Sequence, residues 1–154
     1  MKLNETAWME ERMETIRATK TWQHAGVYYV RTESMVKGFN IPLDIEFDEN
    51  DTPETKYTLL LDNNLPVATC RLHVLDKNTA KIERVCVLPQ YRGKGVGRRL
   101  IIDTENWFRE LGINKVIITS RDEAVGFYES LGYKADWDRT EQDVFLTVYT
   151  EKTL

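Results

Sequence analysis

The sequence predicts a single α+β domain with a three-layer α/β arrangement, in which helices flank a mixed central sheet. Three strand patterns follow one another closely between residues 57 and 88. An apolar stretch at 116–118 comes after a strand, a glycine-rich loop and a helical pattern, which is the order of a crossover to a parallel neighbour. Two further strand patterns lie between residues 133 and 150, so the sheet should contain both parallel and antiparallel pairs.

The first half of the chain predicts a strand, a helix and three antiparallel strands. Residues 1–12 are charged and lack a clear period, so we expect an N-terminal extension before a domain at 13–154. Gly38 is the expected end of the helix, and an acidic loop at 39–56 follows it. The predicted elements are a strand at Met13–Ala18, a helix at about 21–36, strands at 57–61, 67–75 and 81–88, and turns at 62–64 and 77–78.

The second half predicts a long helix, a buried strand, a short helix and a final hairpin. The predicted elements are a helix at 100–111 closed by Gly112, a strand at 116–118, a short helix ending at Gly132, and strands at 133–137 and 143–150. The strand at 116–118 is apolar at every position, as expected when both faces are buried. Ser120 and Glu123 have the spacing of a capping box for the short helix.

Composition and charge exclude several function classes. The 154 residues include 21 basic and 25 acidic side chains, a net charge of −4, which argues against general binding to nucleic acid or to an anionic membrane. Aliphatic runs are far shorter than the roughly 20 residues that span a bilayer. The N-terminus also lacks an apolar signal core. We therefore expect a cytoplasmic protein without a membrane partner.

The two cysteines are expected to be reduced core thiols. Cys70 and Cys86 lie on separate predicted strands, and only His24 and His73 accompany them, so no metal-ligand spacing exists. A covalent mechanism that uses a Cys–His pair is the weaker alternative.

Residues 84–99 are the most informative stretch. Glycines at 93, 95 and 97 alternate between a short apolar strand and a helical pattern. Glycine permits positive φ and close approach of a ligand to the main chain. Successive N–H groups at the start of a helix form a concave anion site that the helix dipole strengthens. The loop therefore suits a pyrophosphate, although a plain glycine-rich turn remains the alternative.

Spacing separates this loop from two other phosphate-binding loops. A Walker loop needs Ser or Thr after Gly-Lys, whereas Lys94 is followed by Gly95. The dinucleotide fingerprint would place its last glycine at Arg98 or Leu100. Residues 81–99 nevertheless hold six basic side chains and one acidic one, a local net charge of +5, which suits a phosphate-bearing ligand.

Two motifs resemble the GNAT acetyltransferase superfamily. Arg92-x-x-Gly95-x-Gly97 after a strand resembles its coenzyme A signature, Arg/Gln-x-x-Gly-x-Gly/Ala. Residues 124–133 are similar to its Ala-x-x-Phe-Tyr-x-x-x-Gly-Phe/Tyr motif. Residues 31–42 with the acidic residues after them loosely resemble the ElaA-like branch, although that branch's aromatic and Glu-Gln are absent here.

The resemblance implies the GNAT fold and acetyl-CoA as co-substrate. It also implies a bulge near 85–87 that frees main-chain groups for the pantetheine arm, with one N–H facing the thioester oxygen. The implied donor-binding residues are Val85, Cys86, Val87, Arg92, Gly93, Lys94, Gly95, Val96, Gly97 and Arg98. Arg121 stands where the family often has a cofactor-contacting Asn, and it could meet a phosphate instead.

Two catalytic residues follow from the same resemblance. Tyr128 occupies the position of the tyrosine that often protonates the departing thiolate, and a phenol keeps its proton at neutral pH. Core packing is the alternative role for Tyr128. Glu83, on the strand before Val85, is the candidate base for an acceptor ammonium. A simple ion pair with Lys81, or a water relay, would leave Glu83 without that role.

The acceptor is expected to be a primary amine, on a small molecule or a peptide. An acidic stretch could attract such a cation or could be a solvated loop; its members are Asp44, Glu46, Asp48, Glu49, Asp51 and Glu54. The rival functions are a non-catalytic CoA-binding module, an acyl-homoserine lactone synthase and a nucleotide-binding protein. Whether the chain forms a homodimer stays open.

Overall fold

The computed structural model describes Ala7 and residues 11–154. Its strands are β1 (Met13–Ala18), β2 (Lys56–Asp62), β3 (Leu65–Val74), β4 (Thr79–Val87), β5 (Lys115–Arg121), β6 (Lys134–Gln142) and β7 (Leu146–Thr153). Its α-helices are α1 (Thr21–Arg31), α2 (Leu43–Glu46), α3 (Val96–Glu110) and α4 (Val125–Ser130). A π-helical segment at Thr32–Lys37 follows α1, and 3-10 turns lie at Pro89–Tyr91 and Asp122–Ala124.

The strands form a mixed seven-stranded sheet in the order β1-β2-β3-β4-β5-β7-β6, which confirms the predicted fold class. Most of the expected extension at 1–12 lies outside the described residues. Within those residues, no helix combines the length and the apolar character that crossing a bilayer requires. The chain divides into two compact units, the described residues up to Leu72 with Arg84–Thr104, and His73–Glu83 with Glu105–Leu154.

The first unit is built on an antiparallel meander. β1 pairs with β2 from Met13↔Asp62 to Ala18↔Tyr57. β2 then pairs with β3 through a two-residue turn. Asn63 and Asn64 have φ values of 47° and 69°, which matches the two left-handed positions of a type I′ hairpin turn. Fully buried apolar side chains from these strands, α1 and α3 form the core, among them Val27, Val30, Leu59, Leu60, Val67, Leu100 and Ile101.

The second unit contains a parallel strand pair and the final hairpin. β4 pairs in parallel with β5 from Thr79↔Lys115 to Lys81↔Ile117. β7 lies antiparallel to both β5 and β6. The predicted strand at 116–118 is buried at all three positions, which confirms its two-sided burial. Other buried side chains of this unit include Phe108, Ile113, Val125, Leu131, Tyr133 and Val148.

The first helical stretch ends close to the predicted stop, whereas the loop after it is not irregular throughout. The π-helical segment ends at Lys37, and Gly38 is its C-cap with a right-handed φ of −73°. The left-handed turn follows at Asn40, whose φ is 54°. The predicted loop at 39–56 contains the short helix α2 after Pro42.

The predicted capping box is also absent. The chain enters a 3-10 turn before α4, so the helix starts later than the box requires. The Ser120 hydroxyl donates to the Arg121 carbonyl at 2.7 Å. The Glu123 amide donates to the Asp122 carboxylate at 2.9 Å. Asp122 therefore satisfies a donor that the box had assigned to Ser120.

Candidate functional site

The glycine loop connects β4 to the start of α3. Gly93 and Gly95 have φ values of 74° and 80°, and a Cβ added at either would meet nothing within 4 Å. Glycine is therefore required here by the backbone conformation rather than by crowding. The 3-10 turn before the loop is anchored by Tyr91, whose hydroxyl donates to Asp62 at 2.6 Å.

The main-chain amides of this loop are available to a ligand. The Arg92 amide donates to the Pro89 carbonyl at 3.3 Å, and the Arg99 amide donates to the Gly95 carbonyl at 3.1 Å. Between them, none of the six amides of residues 93–98 has a hydrogen-bond partner in the part of the chain that the structure describes. Six amides without a partner among the described residues, at the start of a 15-residue helix, form the kind of concave site that binds phosphate groups.

Positive charge surrounds these amides. Arg92, Lys94 and Arg98 are all exposed. Arg92 is oriented by a hydrogen bond from its Nε to the Val87 carbonyl at 3.1 Å. A guanidinium has five N–H donors, so the others remain able to bind an anion. The residues present therefore fit a diphosphate.

The end of β4 is held from a second side by the π-helical segment. Ser34 is buried, and its hydroxyl donates to the Val87 carbonyl at 3.4 Å. The π-helix places Ser34 at this point, and π-helical turns occur frequently at functional sites. Nothing in the sequence pattern indicated an i→i+5 helix, so Ser34 was not among the predicted residues.

β4 has a left-handed backbone position at Arg84, one residue before the stretch where a bulge is expected, and the bulge itself stays a prediction. Arg84 has a φ of 52°, a left-handed conformation that costs an L-residue about 1–2 kcal/mol. Its side chain bonds to the acidic segment, from Nε to the Glu46 carbonyl at 3.1 Å and from Nη2 to Asp48 at 3.1 Å. The turn in the strand is therefore accompanied by specific side-chain contacts.

The acidic stretch is not a solvated loop in its central part. Arg31 and Arg71 are fully buried. Arg31 donates to Asp51 at 2.6 Å and to Glu46 at 3.0 Å. Arg71 donates to Asp48 at 2.8 Å. Three of the six predicted acids are thus neutralised by arginines, whereas Asp44, Glu49 and Glu54 are exposed.

These contacts fix the charge states of two carboxylates. Burial alone would raise the pKa of Asp51, but hydrogen bonds from Arg31 and Tyr57 and the Arg31 charge hold it well below its usual range. Burial likewise opposes ionisation of Asp48, yet hydrogen bonds from Arg71 and the Asn50 amide lower its pKa. Both side chains are therefore carboxylates at neutral pH.

The cysteines are buried thiols. Burial raises the pKa of Cys86 to about 12, with a further contribution from Glu46. Burial also raises the pKa of Cys70 to about 11, and its sulfur contacts the Thr104 hydroxyl at 3.2 Å. A nucleophilic cysteine needs the thiolate, so these environments argue against the covalent alternative. Cys86 can contribute to a donor site only through its main chain.

The second unit holds both predicted catalytic residues. Tyr128 is buried, with ring-centroid distances of 5.0 Å to Phe127 and 6.0 Å to Tyr133. Glu83 lies 2.8 Å from Nδ1 of His73. The side chains of Glu83 and His73 are 24% and 38% exposed, so solvent-borne molecules can reach the pair.

Two further outcomes concern Glu83 and Arg121. His73 was not predicted as a partner of Glu83, because the register of two strands joined by a loose turn cannot be determined from residue types. Arg121 stacks over the Phe145 ring at 4.5 Å and contacts Glu123 at 3.2 Å. Its guanidinium is thus held within its own unit, and its expected phosphate contact stays a prediction.

Relatives of known sequence and structure agree with this reading. A model of the Acetyltransferase (GNAT) family matches residues 8–133. A Bacillus subtilis (strain 168) protein described as an acetyltransferase is 34% identical over 109 residues, which cover 70% of this chain and 74% of that protein.

Solved structures show the same fold. A Lactobacillus plantarum protein described as an N-acetyltransferase superposes with a TM-score of 0.88 and 31% identity, covering 92% of this chain and 98% of its own. Escherichia coli ElaA superposes with a TM-score of 0.76 at 21% identity, covering 91% of this chain and 98% of its own. ElaA therefore shares the fold. Because the family model covers most of the chain, including both motifs, the chain belongs to the GNAT acetyltransferase family.

Proposed function

We propose that this chain is an acetyl-CoA-dependent N-acetyltransferase that moves an acetyl group to a primary amine by direct attack. The observation that carries the proposal is the row of six amides at residues 93–98 without partners among the described residues. Amides in this arrangement, next to exposed Arg92 and Lys94, bind the diphosphate of a CoA thioester. Family membership supports acyl transfer as the reaction class.

Two groups of the second unit move protons in the proposed reaction. Tyr128 gives its phenolic proton to the thiolate that leaves when the amine nitrogen bonds to the thioester carbon. The Glu83–His73 pair takes the proton that the ammonium form of the acceptor must lose before it attacks. As the amide forms, its nitrogen loses a second proton, which restores the Tyr128 phenol. The products are the acetylated amine, free CoA and the proton held by the Glu83–His73 pair. A primary amine acceptor is largely an ammonium at neutral pH, and it must become neutral before its nitrogen can attack.

Ligand binding tests the donor site directly. The thermal unfolding midpoint is measured with acetyl-CoA, CoA, ATP and buffer alone. A ligand at 100 times its dissociation constant stabilises the folded state by about 2.7 kcal/mol, so acetyl-CoA and CoA should raise the midpoint by several degrees. ATP should not raise it comparably. Stabilisation by ATP alone, or by no CoA compound, would contradict the proposal.

Turnover then separates an enzyme from a non-catalytic CoA-binding module. Release of free CoA from acetyl-CoA is followed with a panel of primary amines that includes small alkylamines, amino acids and peptide N-termini. Time-dependent release that requires one class of amine, with the acetylated amine identified by mass spectrometry, supports the enzyme. Tight binding of acetyl-CoA without turnover on any amine would favour the non-catalytic module.

A further inference from the structure

β4 contains one residue whose backbone a strand does not normally accept. Arg84 has a φ of 52°. Among the described residues, the other non-glycine positions with positive φ are Asn40, Asn63 and Asn64, and asparagine tolerates this region far better than arginine. A left-handed arginine persists only where its surroundings enforce the conformation. Its contacts should therefore show what enforces it.

The enforcing contacts come from residues 45–51, which we call the clamp segment. Arg84 donates from Nε to the Glu46 carbonyl at 3.1 Å and from Nη2 to Asp48 at 3.1 Å. A weaker contact joins Nη2 to the Ile45 carbonyl at 3.5 Å. One guanidinium thus connects the left-handed position of β4 to the end of α2 and to a carboxylate.

The clamp segment is itself fixed from inside the unit. Arg71 binds both carboxylate oxygens of Asp48, at 2.8 Å and 3.2 Å. Arg31 binds the Glu46 carbonyl at 2.6 Å and Asp51 at 2.6 Å and 3.0 Å. Arg31 and Arg71 are 0% and 1% exposed. The Arg84 guanidinium therefore rests on a support that cannot easily move.

This network is better suited to fixing a conformation than to adding stability. Removing charges from water costs free energy that ion pairing only partly returns, and apolar side chains of similar volume often serve stability as well. In some proteins, buried ion pairs instead select a single geometry. Here that geometry ends at Arg84, directly before the strand residues Val85–Val87. The Val87 carbonyl is held by Arg92 and Ser34, so this short stretch is fixed at both ends.

We propose that Arg84 and Asp48 are positioning residues for acyl transfer. By holding the left-handed turn, they direct a main-chain N–H of residues 85–87 at the thioester carbonyl of the donor. The inference rests on the proposed function and adds to it the side chains that keep this N–H group in place. A preorganised N–H donor of this kind is worth about 10²–10³ in kcat, so its misplacement should be measurable.

Arg84→Gly is the decisive variant, because glycine accepts positive φ without strain while the contacts to the clamp segment are lost. Asp48→Asn removes the charge of the carboxylate that the Arg84 guanidinium binds. Lys115→Gly is the matched control, since it also replaces a basic strand residue that makes an ion pair, at 3.0 Å to Glu151. Each protein is titrated with [1-¹³C]acetyl-CoA, and the bound carbonyl band is recorded by isotope-edited infrared spectroscopy.

In the wild-type protein, the bound carbonyl band should lie below that of free acetyl-CoA, because a hydrogen bond weakens the C=O bond. In Arg84→Gly the band should move back toward the free value and kcat should fall at least tenfold. The dissociation constant of acetyl-CoA should change by less than about threefold, since the amides of residues 93–98 are untouched. Asp48→Asn should shift the band in the same direction, and Lys115→Gly should match the wild type.

The possible failures are distinguishable. If Arg84→Gly keeps both the wild-type band and the wild-type kcat, the side-chain contacts do not position the donor, and the inference is overturned while the proposed function stands. An unshifted band in the wild type overturns it as well. If the wild type binds no acetyl-CoA, the proposed function falls and takes the inference with it. Should Asp48→Asn fail to fold, Arg84→Gly alone decides.

Discussion

Glu83 and His73 lie close enough to act as one proton-accepting unit. Nδ1 of His73 lies 2.8 Å from a carboxyl oxygen of Glu83. In the tautomer whose Nδ1–H donates to Glu83, Nε2 carries the lone pair and can accept a proton from an ammonium. Glu83 then acts by orienting the ring.

Replacing His73 by Gln should slow the reaction most where the acceptor must lose a proton before it attacks. With an alkylamine acceptor at pH 7, we expect kcat/KM to fall about 10²-fold. An arylamine is already neutral at this pH and loses its proton only after attack, so the variant should lose much less activity with it. Glu151→Gln is the control, because it removes another exposed cross-strand ion pair of the same unit. Equal losses with both amines would show that His73 serves only structure.

Tyr128 can be tested against a second tyrosine of its own unit. Tyr128→Phe keeps the ring contacts to Phe127 and Tyr133 but removes the proposed acid, so kcat should fall about 10²-fold or more. Tyr133→Phe removes a buried hydrogen bond of 2.8 Å to Glu105. It should cost about 1.5–3 kcal/mol of stability, since the lost partner is a carboxylate, and leave kcat unchanged. Steady-state rates and thermal unfolding of both variants decide the matter.

Sequence motifs predicted some of the candidate site residues, and only the structure revealed the others. Tyr128 and Glu83 could be predicted because each occupies a fixed place in a linear pattern. His73, Ser34 and Arg84 could not, since their roles depend on strand register, a π-helical turn and a left-handed backbone angle. None of those features leaves a periodic signal in the residue types.

At the scale of elements, one glycine of the glycine loop and one glycine at the end of α3 form a matched pair for comparison. Gly95 and Gly112 both have a φ of 80°, and a Cβ at either meets nothing within 4 Å. Changing either residue to Ala should therefore cost a similar amount of stability, about 1 kcal/mol. Only Gly95→Ala should weaken acetyl-CoA binding, by about tenfold, because its main chain belongs to the amide row.

Thermal unfolding and calorimetric titration with acetyl-CoA measure the two effects separately. The prediction requires similar unfolding midpoints and different dissociation constants. If both variants bind acetyl-CoA like the wild type, the amides of residues 93–98 do not hold the donor. If both lose affinity equally, the loss reflects general destabilisation and the loop has no special part in it.

Elements with strong periodicity were predicted close to their observed bounds. The strand at Met13–Ala18 is observed as predicted, and the two-sided burial of 116–118 is confirmed because a fully apolar stretch permits no other environment. The first helical stretch ends at Lys37, next to the predicted stop at Gly38, although Gly38 stays right-handed. α2 was missed because four residues give no readable period. Its carbonyls matter nonetheless, as they hold Arg84.

At the scale of the whole molecule, part of the acidic excess is paired inside the fold. Within residues 44–54, Glu46, Asp48 and Asp51 are engaged by arginines. Only the exposed acids of this stretch could attract a cationic acceptor. The paired carboxylates instead bear on how the stability of the protein responds to acid.

Asp51 should make the folded state sensitive to acid. Its folded-state pKa lies below the unfolded value of about 4, so its stabilising contribution is complete above that pH and is lost as the pH falls toward the folded-state pKa. In Asp51→Asn, Arg31 loses a buried charged partner, and we expect a loss of about 3–5 kcal/mol at pH 7. Urea unfolding between pH 7 and pH 2 measures both proteins.

The informative quantity is the difference in the free energy of unfolding between the wild type and Asp51→Asn at each pH. It should stay constant from pH 7 to about pH 5 and shrink below about pH 4, because the wild type alone loses the Asp51 contribution as that carboxylate becomes protonated. Glu54→Gln, which changes an exposed acid three residues away, should follow the wild type throughout. Parallel curves for wild type and Asp51→Asn down to pH 2 would mean that Asp51 is not held as a carboxylate by Arg31, and the fixed support proposed for Arg84 would lose its inner anchor.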